Sequence, residues 1–319
     1  MCPLAWVRLQ GSVSVATCLP LTIFWRRQPL VQKIRLDVVG DPIGHSKSPV
    51  IHETVLDGLG LDYEYRKVRI EKGHLPEYLD EVRKKGIDGF NLTMPHKQDI
   101  LPYLDFIDEE ALVFDAVNTV KVKDGKLLGY NTDGRGCVWA IEEKGYTCKG
   151  KNIVIFGAGG VVSTVALKMV LEEASSITVL NRTLASAETL AKNVLDRTGT
   201  KINIGELTIA NMKAALTGCD ILINGTPLGM EGIDSDFEDF SFLDELKGGA
   251  LVYDLIYNPP MTNLLKESQR RGFEVVNGFG MLIYQGLLAD EVFLDRKLSF
   301  APFKEKIEKK LKNFKNFKK

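Results

Sequence analysis

Two stretches of this chain run from consecutive apolar residues straight into a glycine-bearing turn and then a helix. They are RLDVVGDPIGHSKSP (35–49) and NIVIFGAGG (152–160), the latter followed by VVSTVALKMVLEE. A strand apolar on both faces needs cover on both faces, and strands alternating with helices supply it, so the chain is confined to an α/β architecture with largely parallel sheets. The pattern repeats along the sequence. Strands are expected at YEYRKVRI, GFNLT, SITVLNRT, CDILING and LVYDLIY. Helices are expected at PVIHETVLDGL with Pro49 at its first position, HLPEYLDEVRKK, PHKQDILPYLD beginning at Pro95, GRGCVWAIEEKG and ASAETLAKNVLDRTG. In VNTVKVKDGKLLGYNT an Asp-Gly pair separates two strand-like runs, which predicts a hairpin. The chain has 319 residues, enough for two domains.

The ends differ in character. Residues 1–33 contain no acid, and their apolar patch LPLTIF precedes Arg26-Arg27, the reverse of a signal peptide's order. They are expected to be a leader or an over-called start, disordered and without functional residues. The lysine-rich end FKEKIEKKLKNFKNFKK places Phe303, Ile307, Leu311 and Phe314 at helical spacing, which predicts a solvated helix with one packed face. A formal net charge of −1 gives no electrostatic case for nucleic acid or an anionic membrane as partner. No apolar stretch reaches the roughly 18 residues of a membrane span. The five cysteines lack metal or disulfide spacing and fit a reducing, cytoplasmic setting.

GAGG at Gly157, Ala158, Gly159 and Gly160 lies between a buried strand and a helix, the context in which such a turn holds a dinucleotide pyrophosphate. The third small position falls on Val162, which should hold the helix further from its strand. The next strand ends Asn181-Arg182-Thr183, where NAD-binding units carry an acid for the ribose 2′-hydroxyl. Without that carboxylate nothing repels a 2′-phosphate, and Arg182 offers it a planar fork, so NADP is expected over NAD.

Two readings stay open for Lys97 in NLTMPHK: a surface lysine, or an amine placed at a helix start for proton transfer. Asp133 in NTDG is either a helix cap or a partner of Lys97 or of a substrate hydroxyl. Ser46 and Ser48 put two hydroxyls at a helix start where a cap needs one.

In this order, GDPIGHSKSP, GFNLTMPHK, AVNTV, GYNTDG, IVIFGAGG, LNRT, YDLIYNP and NGFGMLIYQG closely resemble the shikimate dehydrogenase family, over about Lys33 to Leu294. The resemblance implies a substrate domain (34–133 with 277–319), a Rossmann-type NADP domain (134–276), and reversible reduction of 3-dehydroshikimate to shikimate for aromatic amino acid biosynthesis. It implies Lys97 and Asp133 as catalytic, Ser46 and Ser48 as holders of the substrate carboxylate, and Tyr257 beside them. Asn91, Thr93, Asn118 and Gln285 would meet the ring hydroxyls. Leu255, Gly278 and Met281 would line the nicotinamide, with Gly278 allowing close cofactor approach. No metal is implied, and the chain is expected as a monomer or homodimer. Asn277, Val162, Ser163 and Asp290 depart from the usual pattern. The rival readings are a quinate or aminoshikimate dehydrogenase using NAD, and a non-catalytic NADP-binding relative.

Overall fold

The computed structural model describes residues 33–313, so the leader before Lys33, and Phe314 at the other end, lie outside the described residues. Strand β1 (Ile34–Gly40) leads into α1 (Ser48–Gly58), β2 (Tyr63–Arg69), α2 (Leu75–Lys85) and β3 (Gly89–Leu92). Then come a single turn α3 (His96–Asp99), β4 (Phe106–Ile107), α4 (Glu109–Phe114), β5 (Thr119–Lys123), β6 (Lys126–Tyr130) and α5 (Asp133–Glu142). The second half runs β7 (Asn152–Phe156), α6 (Gly160–Leu171), β8 (Ser176–Asn181), α7 (Leu184–Thr198), β9 (Asn203–Glu206), α8 (Ile209–Leu216) and β10 (Ile221–Asn224). It ends β11 (Leu251–Asp254), α9 (Asn263–Arg270), β12 (Glu274–Val276), α10 (Phe279–Leu294) and α11 (Phe300–Asn313).

The strands form two six-stranded sheets. The second is parallel throughout, in the order β9-β8-β7-β10-β11-β12, which is the doubly wound order that reverses direction beside its first strand. The first sheet, β2-β1-β3-β5-β6-β4, is parallel-rich but mixed, with three of its five pairings parallel. Its hairpin supplies the antiparallel pairings: β5 runs antiparallel to both β3 and β6. Asp124 and Gly125, at φ 52° and 74°, make the tight turn that the Asp-Gly pair predicted.

The helix expected over PHKQDILPYLD is corrected. It is the one turn of α3 followed by a 3₁₀ turn at Leu101–Tyr103. Pro102 has no N–H to give to a carbonyl one turn back, which stops the α-helical ladder there. A four-residue turn aligns too few peptide dipoles to act on Lys97 as a full helix would.

One apolar layer joins the two sheets. It runs from Ile51 and Val55 on α1, through Ile283 and Leu287 on α10 and Val138 and Ile141 on α5, to Val165 on α6 and Ile155 on β7. Close approach is built in: a Cβ on Gly136 would lie 2.8 Å from the Gln285 nitrogen, and one on Gly286 would lie 2.7 Å from Ile51. Helix α11 docks Phe303, Ile307 and Leu311 into the same layer. Among the described residues, no helix is long and apolar enough to cross a membrane.

Candidate active site

Sheet direction decides which side chains meet. Strands β1 and β3 are parallel, and Asn91 on β3 pairs with Thr119 at the start of antiparallel β5, which in turn faces Tyr130 at the end of β6. The segments after β1, after β3, before β5 and after β6 therefore share one sheet edge. They carry Ser46 and Ser48, then Thr93 and Lys97 beyond Asn91 of β3 itself, then Asn118, then Asp133.

At that edge Nζ of Lys97 donates to Oδ2 of Asp133 across 2.6 Å. The lysine side chain is 28% exposed and the carboxylate 13%, so the pair is shielded yet open on one side. Asp133 is the first residue of ten-residue α5, where free N–H groups favour a carboxylate. Asn131 Oδ1 accepts the Asp133 backbone N–H at 3.0 Å and does the local capping, which leaves the Asp133 carboxylate to Lys97.

Asn118 is buried and closely held. Its Oδ1 accepts from the Thr119 hydroxyl (2.9 Å) and the Thr132 N–H (2.9 Å), while Nδ2 donates to Thr132 Oγ1 (2.9 Å). A longer 3.4 Å contact from Nδ2 reaches Gln285 Oε1 on α10. Ser46 Oγ accepts the Ser48 N–H at 3.3 Å, so one of the two serines supports the turn and the Ser48 hydroxyl is spared that task. Thr93 packs its methyl over Gly40, where a Cβ would lie 2.3 Å away. Tyr257, 38% exposed, sits on the loop after β11 with Phe279 at 5.8 Å.

The second sheet presents its own carboxyl edge. Gly157 has φ 102°, and a Cβ there would come within 3.0 Å of the Gly225 carbonyl, so only glycine fits the turn. Around Gly159 and Gly160 a Cβ would meet nothing within 4 Å, and no side chain caps twelve-residue α6. Its free N–H groups thus face open space, as a pyrophosphate requires. Asn181 donates Nδ2 to the Thr183 carbonyl at 2.9 Å, and Arg182 and Thr183 are exposed. The valine expected to hold α6 off its strand, Val162, meets a residue without a side chain. It is buried in space left by Gly225, where a Cβ would lie 2.3 Å from the valine methyl. Among the described residues no cluster of three or more His, Cys, Asp or Glu side chains could hold a metal ion.

Known proteins are similar to this chain in sequence and in fold. Residues 38–120 match the model described as the shikimate dehydrogenase substrate binding domain, and 140–229 match shikimate / quinate 5-dehydrogenase. The NADP(+)-type shikimate dehydrogenase of Methanocaldococcus jannaschii is 41% identical over 81% of this chain and 90% of its own length. The chain belongs to the shikimate dehydrogenase family. Among solved structures, a shikimate dehydrogenase in complex with NADP+ superposes with a TM-score of 0.78 at 38% identity, covering 87% of this chain and 96% of that one. A ligand-free 5-ketofructose reductase from Gluconobacter superposes at 0.77 with 31% identity, over 87% and 99% of the two chains.

Three features of this shikimate dehydrogenase family member were not visible in its sequence. Asn224 Oδ1, at the end of β10, accepts from the Thr226 hydroxyl at 2.7 Å and fixes it beside the glycine turn. The only sequence signal was N-G-T-P following a strand. Second, Gly278 is required by the protein itself. Its Cβ would lie 2.1 Å from the Leu255 carbonyl oxygen, a backbone atom that cannot swing away, although φ is an ordinary −64°. Gly278→Ala should therefore destabilise the cofactor-free protein by about 3 kcal/mol, lowering its melting temperature by roughly 6–10 °C in calorimetry. An unchanged apo melting curve would return Gly278 to a role in cofactor approach alone.

The third is Asp254, fully buried at the end of β11. Its carboxyl accepts from Thr262 (2.6 Å), Asn224 (3.1 Å) and the Ile256 N–H (3.1 Å), and so anchors the loop carrying Leu255 and Tyr257. Burial pushes its pKa up to about 6 despite these bonds. A carboxyl raised above its unfolded value holds its proton more tightly when folded. Its contribution is thus present below about pH 4 and lost as pH rises through 6, a span on the order of 3 kcal/mol. Asp254→Asn keeps the acceptor and turns Nδ2 toward Thr262. Relative to the parent, its urea midpoint should improve steadily between pH 4 and 7; a pH-independent difference would contradict this. Asn277 donates to the Pro260 carbonyl at 2.9 Å and accepts the Phe279 N–H at 3.1 Å. An aspartate could do only the second.

Proposed function

We propose that this chain catalyses the NADP-dependent, reversible reduction of 3-dehydroshikimate to shikimate. The single observation that carries the reading is the Lys97–Asp133 contact, formed at a sheet edge that also gathers two serine hydroxyls and two asparagine amides. Residues 34–133 with 277–319 are the substrate-binding part in this reading, and 134–276 the NADP-binding part.

Gly157, Gly159 and Gly160 would hold the pyrophosphate, Arg182 and Thr183 the 2′-phosphate, and Leu255, Gly278 and Met281 the nicotinamide side. Once bound, the nicotinamide supplies or accepts the hydride. The chain's own groups do the rest. Ser46 and Ser48 bind the ring carboxylate, and Asn91, Asn118 and Gln285 fix the ring hydroxyls, because an unpaired buried hydroxyl costs about 1–3 kcal/mol. Lys97 Nζ gives a proton to the oxygen that becomes the new hydroxyl, and takes it back in the reverse direction. Asp133 holds the ammonium in line for that transfer. Three buried, unpaired thiols, at Cys137, Cys148 and Cys219, fit a cytoplasmic setting.

The test is absorbance at the NADPH band with shikimate, quinate and 5-ketofructose as the organic partners, each paired with the phosphorylated and unphosphorylated cofactor. Shikimate with NADP should give the highest kcat/KM. Preference for quinate with NAD would replace the reading. Tight NADPH binding with no turnover on any pair would leave a non-catalytic relative.

A further inference from the structure

Helix α10 carries two adjacent acids, Asp290 and Glu291. The Asp290 carboxyl is fully buried, 2.7 Å from Nδ1 of His52, which is fully buried on α1. One proton lies in this contact whichever partner carries it. Burial holds the Asp290 carboxyl above the usual carboxylate range, with the His52 ring pulling the other way. Nε2 of His52 and Oδ2 of Asp290 have no hydrogen-bond partner among the described residues. A half-satisfied buried polar pair gives less stability than apolar side chains of similar volume would. Stability therefore does not account for it.

Its surroundings do. The His52 ring lies flat against Tyr65, with centroids 4.8 Å apart and planes 14° from parallel, while Phe293 closes in at 6.0 Å. The Tyr65 phenol donates to Oδ1 of Asn91 at 2.8 Å. Burial and the Asp290 charge raise the phenol's pKa, and a hydrogen bond with the Ser48 side chain opposes them. Tyr65 thus touches two residues of the proposed substrate site, one on α1 and one on β3. Among the described residues, Asn91 is otherwise tied only by long contacts from Nδ2, 3.3 Å to Thr119 Oγ1 and 3.4 Å to the Asn118 carbonyl. Nδ2 must face the Asn118 carbonyl, which can only accept, so Oδ1 is left to the Tyr65 hydroxyl, whose 2.8 Å bond is the shortest of those holding the amide in place.

We propose that Asp290, His52 and Tyr65 form a positioning relay beneath the substrate site: the carboxyl fixes the imidazole plane, that plane fixes the phenol, and the phenol fixes the Asn91 amide. The relay rests on the reading of Ser48 and Asn91 as substrate contacts. It acts on ring recognition and leaves hydride and proton transfer to other groups.

Steady-state kinetics on the full-length enzyme test it, with thermal melts as a control for folding. Tyr65→Phe and Asp290→Val should each raise the shikimate KM about tenfold, with kcat within threefold and the NADP KM unchanged. Asp290→Asn keeps an acceptor for Nδ1–H and should stay within twofold of the parent. The Tyr65→Phe/Asp290→Val double variant should match Tyr65→Phe alone, because both act through one amide. If Asp290→Val does not fold, His52→Phe, which keeps a flat ring without Nδ1, takes its place with the same expectation. A folded variant with unmoved shikimate KM, or a double variant whose effects multiply, overturns the relay. Absence of shikimate turnover in the parent protein would instead remove the function on which the relay rests.

Discussion

Alanine at Lys97 should lower kcat for shikimate oxidation about 10³-fold while moving the shikimate KM less than tenfold, since a positioned general acid or base typically contributes 10²–10⁴. The contact with Asp133 at 2.6 Å holds the ammonium in one place, which in the proposed reading is where the ring oxygen would come. Removing the amine also strands a carboxylate that is 13% exposed. Charge and proton transfer can be separated. Lys97→Arg restores a cation beside Asp133, but a guanidinium does not give up its proton near neutrality, so activity should stay low. Asp133→Asn keeps the shape and lets the amine drift, and a loss of about 10- to 100-fold is expected. Fluorescence titration with NADPH should give the parent affinity for all three. Near-normal turnover of Lys97→Ala at saturating shikimate would take the lysine out of the chemistry.

The features that could be read from the sequence are those fixed by neighbours along the chain. NIVIF followed by GAGG must be a strand entering a tight turn, and Asp124-Gly125 must close a hairpin, because both depend on local backbone freedom. Shorter elements escaped notice. Two-residue β4 and four-residue β9 carry too few side chains to show a period, and they exist because a sheet edge was available to pair with. The stretch HKQDILPYLD has apolar residues at helical spacing, yet Pro102 divides it into two turns.

Long-range compensation was illegible for a different reason. Val162 looked intrusive until Gly225, 63 residues later, proved to lack the Cβ it would strike. Asp290 looked like an isolated departure until His52, 238 residues earlier, supplied its partner. Both pairs meet only because the fold brings their segments together, and no periodicity reports on them. The same holds for Tyr65, whose strand alternation places it on a face without saying what that face meets.

Arg182→Ala should raise the NADP KM by about 30- to 100-fold and leave the NAD KM within twofold. Strand β8 ends on Asn181, where a carboxylate would accept from a ribose 2′-hydroxyl, and the asparagine amide is engaged with the Thr183 carbonyl at 2.9 Å. Arg182 beside it is exposed and forms no salt bridge among the described residues, so its guanidinium is available without breaking an existing pair. Charge-assisted bonds to a phosphate are worth about 1.5–3 kcal/mol, which spans this loss. Because the site is exposed, the contribution is screened: the parent NADP KM should climb between 50 and 300 mM salt, and that of Arg182→Ala should climb less. Adding Asn181→Asp to Arg182→Ala places a carboxylate that repels a 2′-phosphate and accepts from a 2′-hydroxyl, so the pair of substitutions should reverse the preference toward NAD. An NADP KM within threefold of the parent in Arg182→Ala, with no change in its salt dependence, would mean that the phosphate is held elsewhere. Thr183, at the N-terminus of α7, would then be the side chain to replace next.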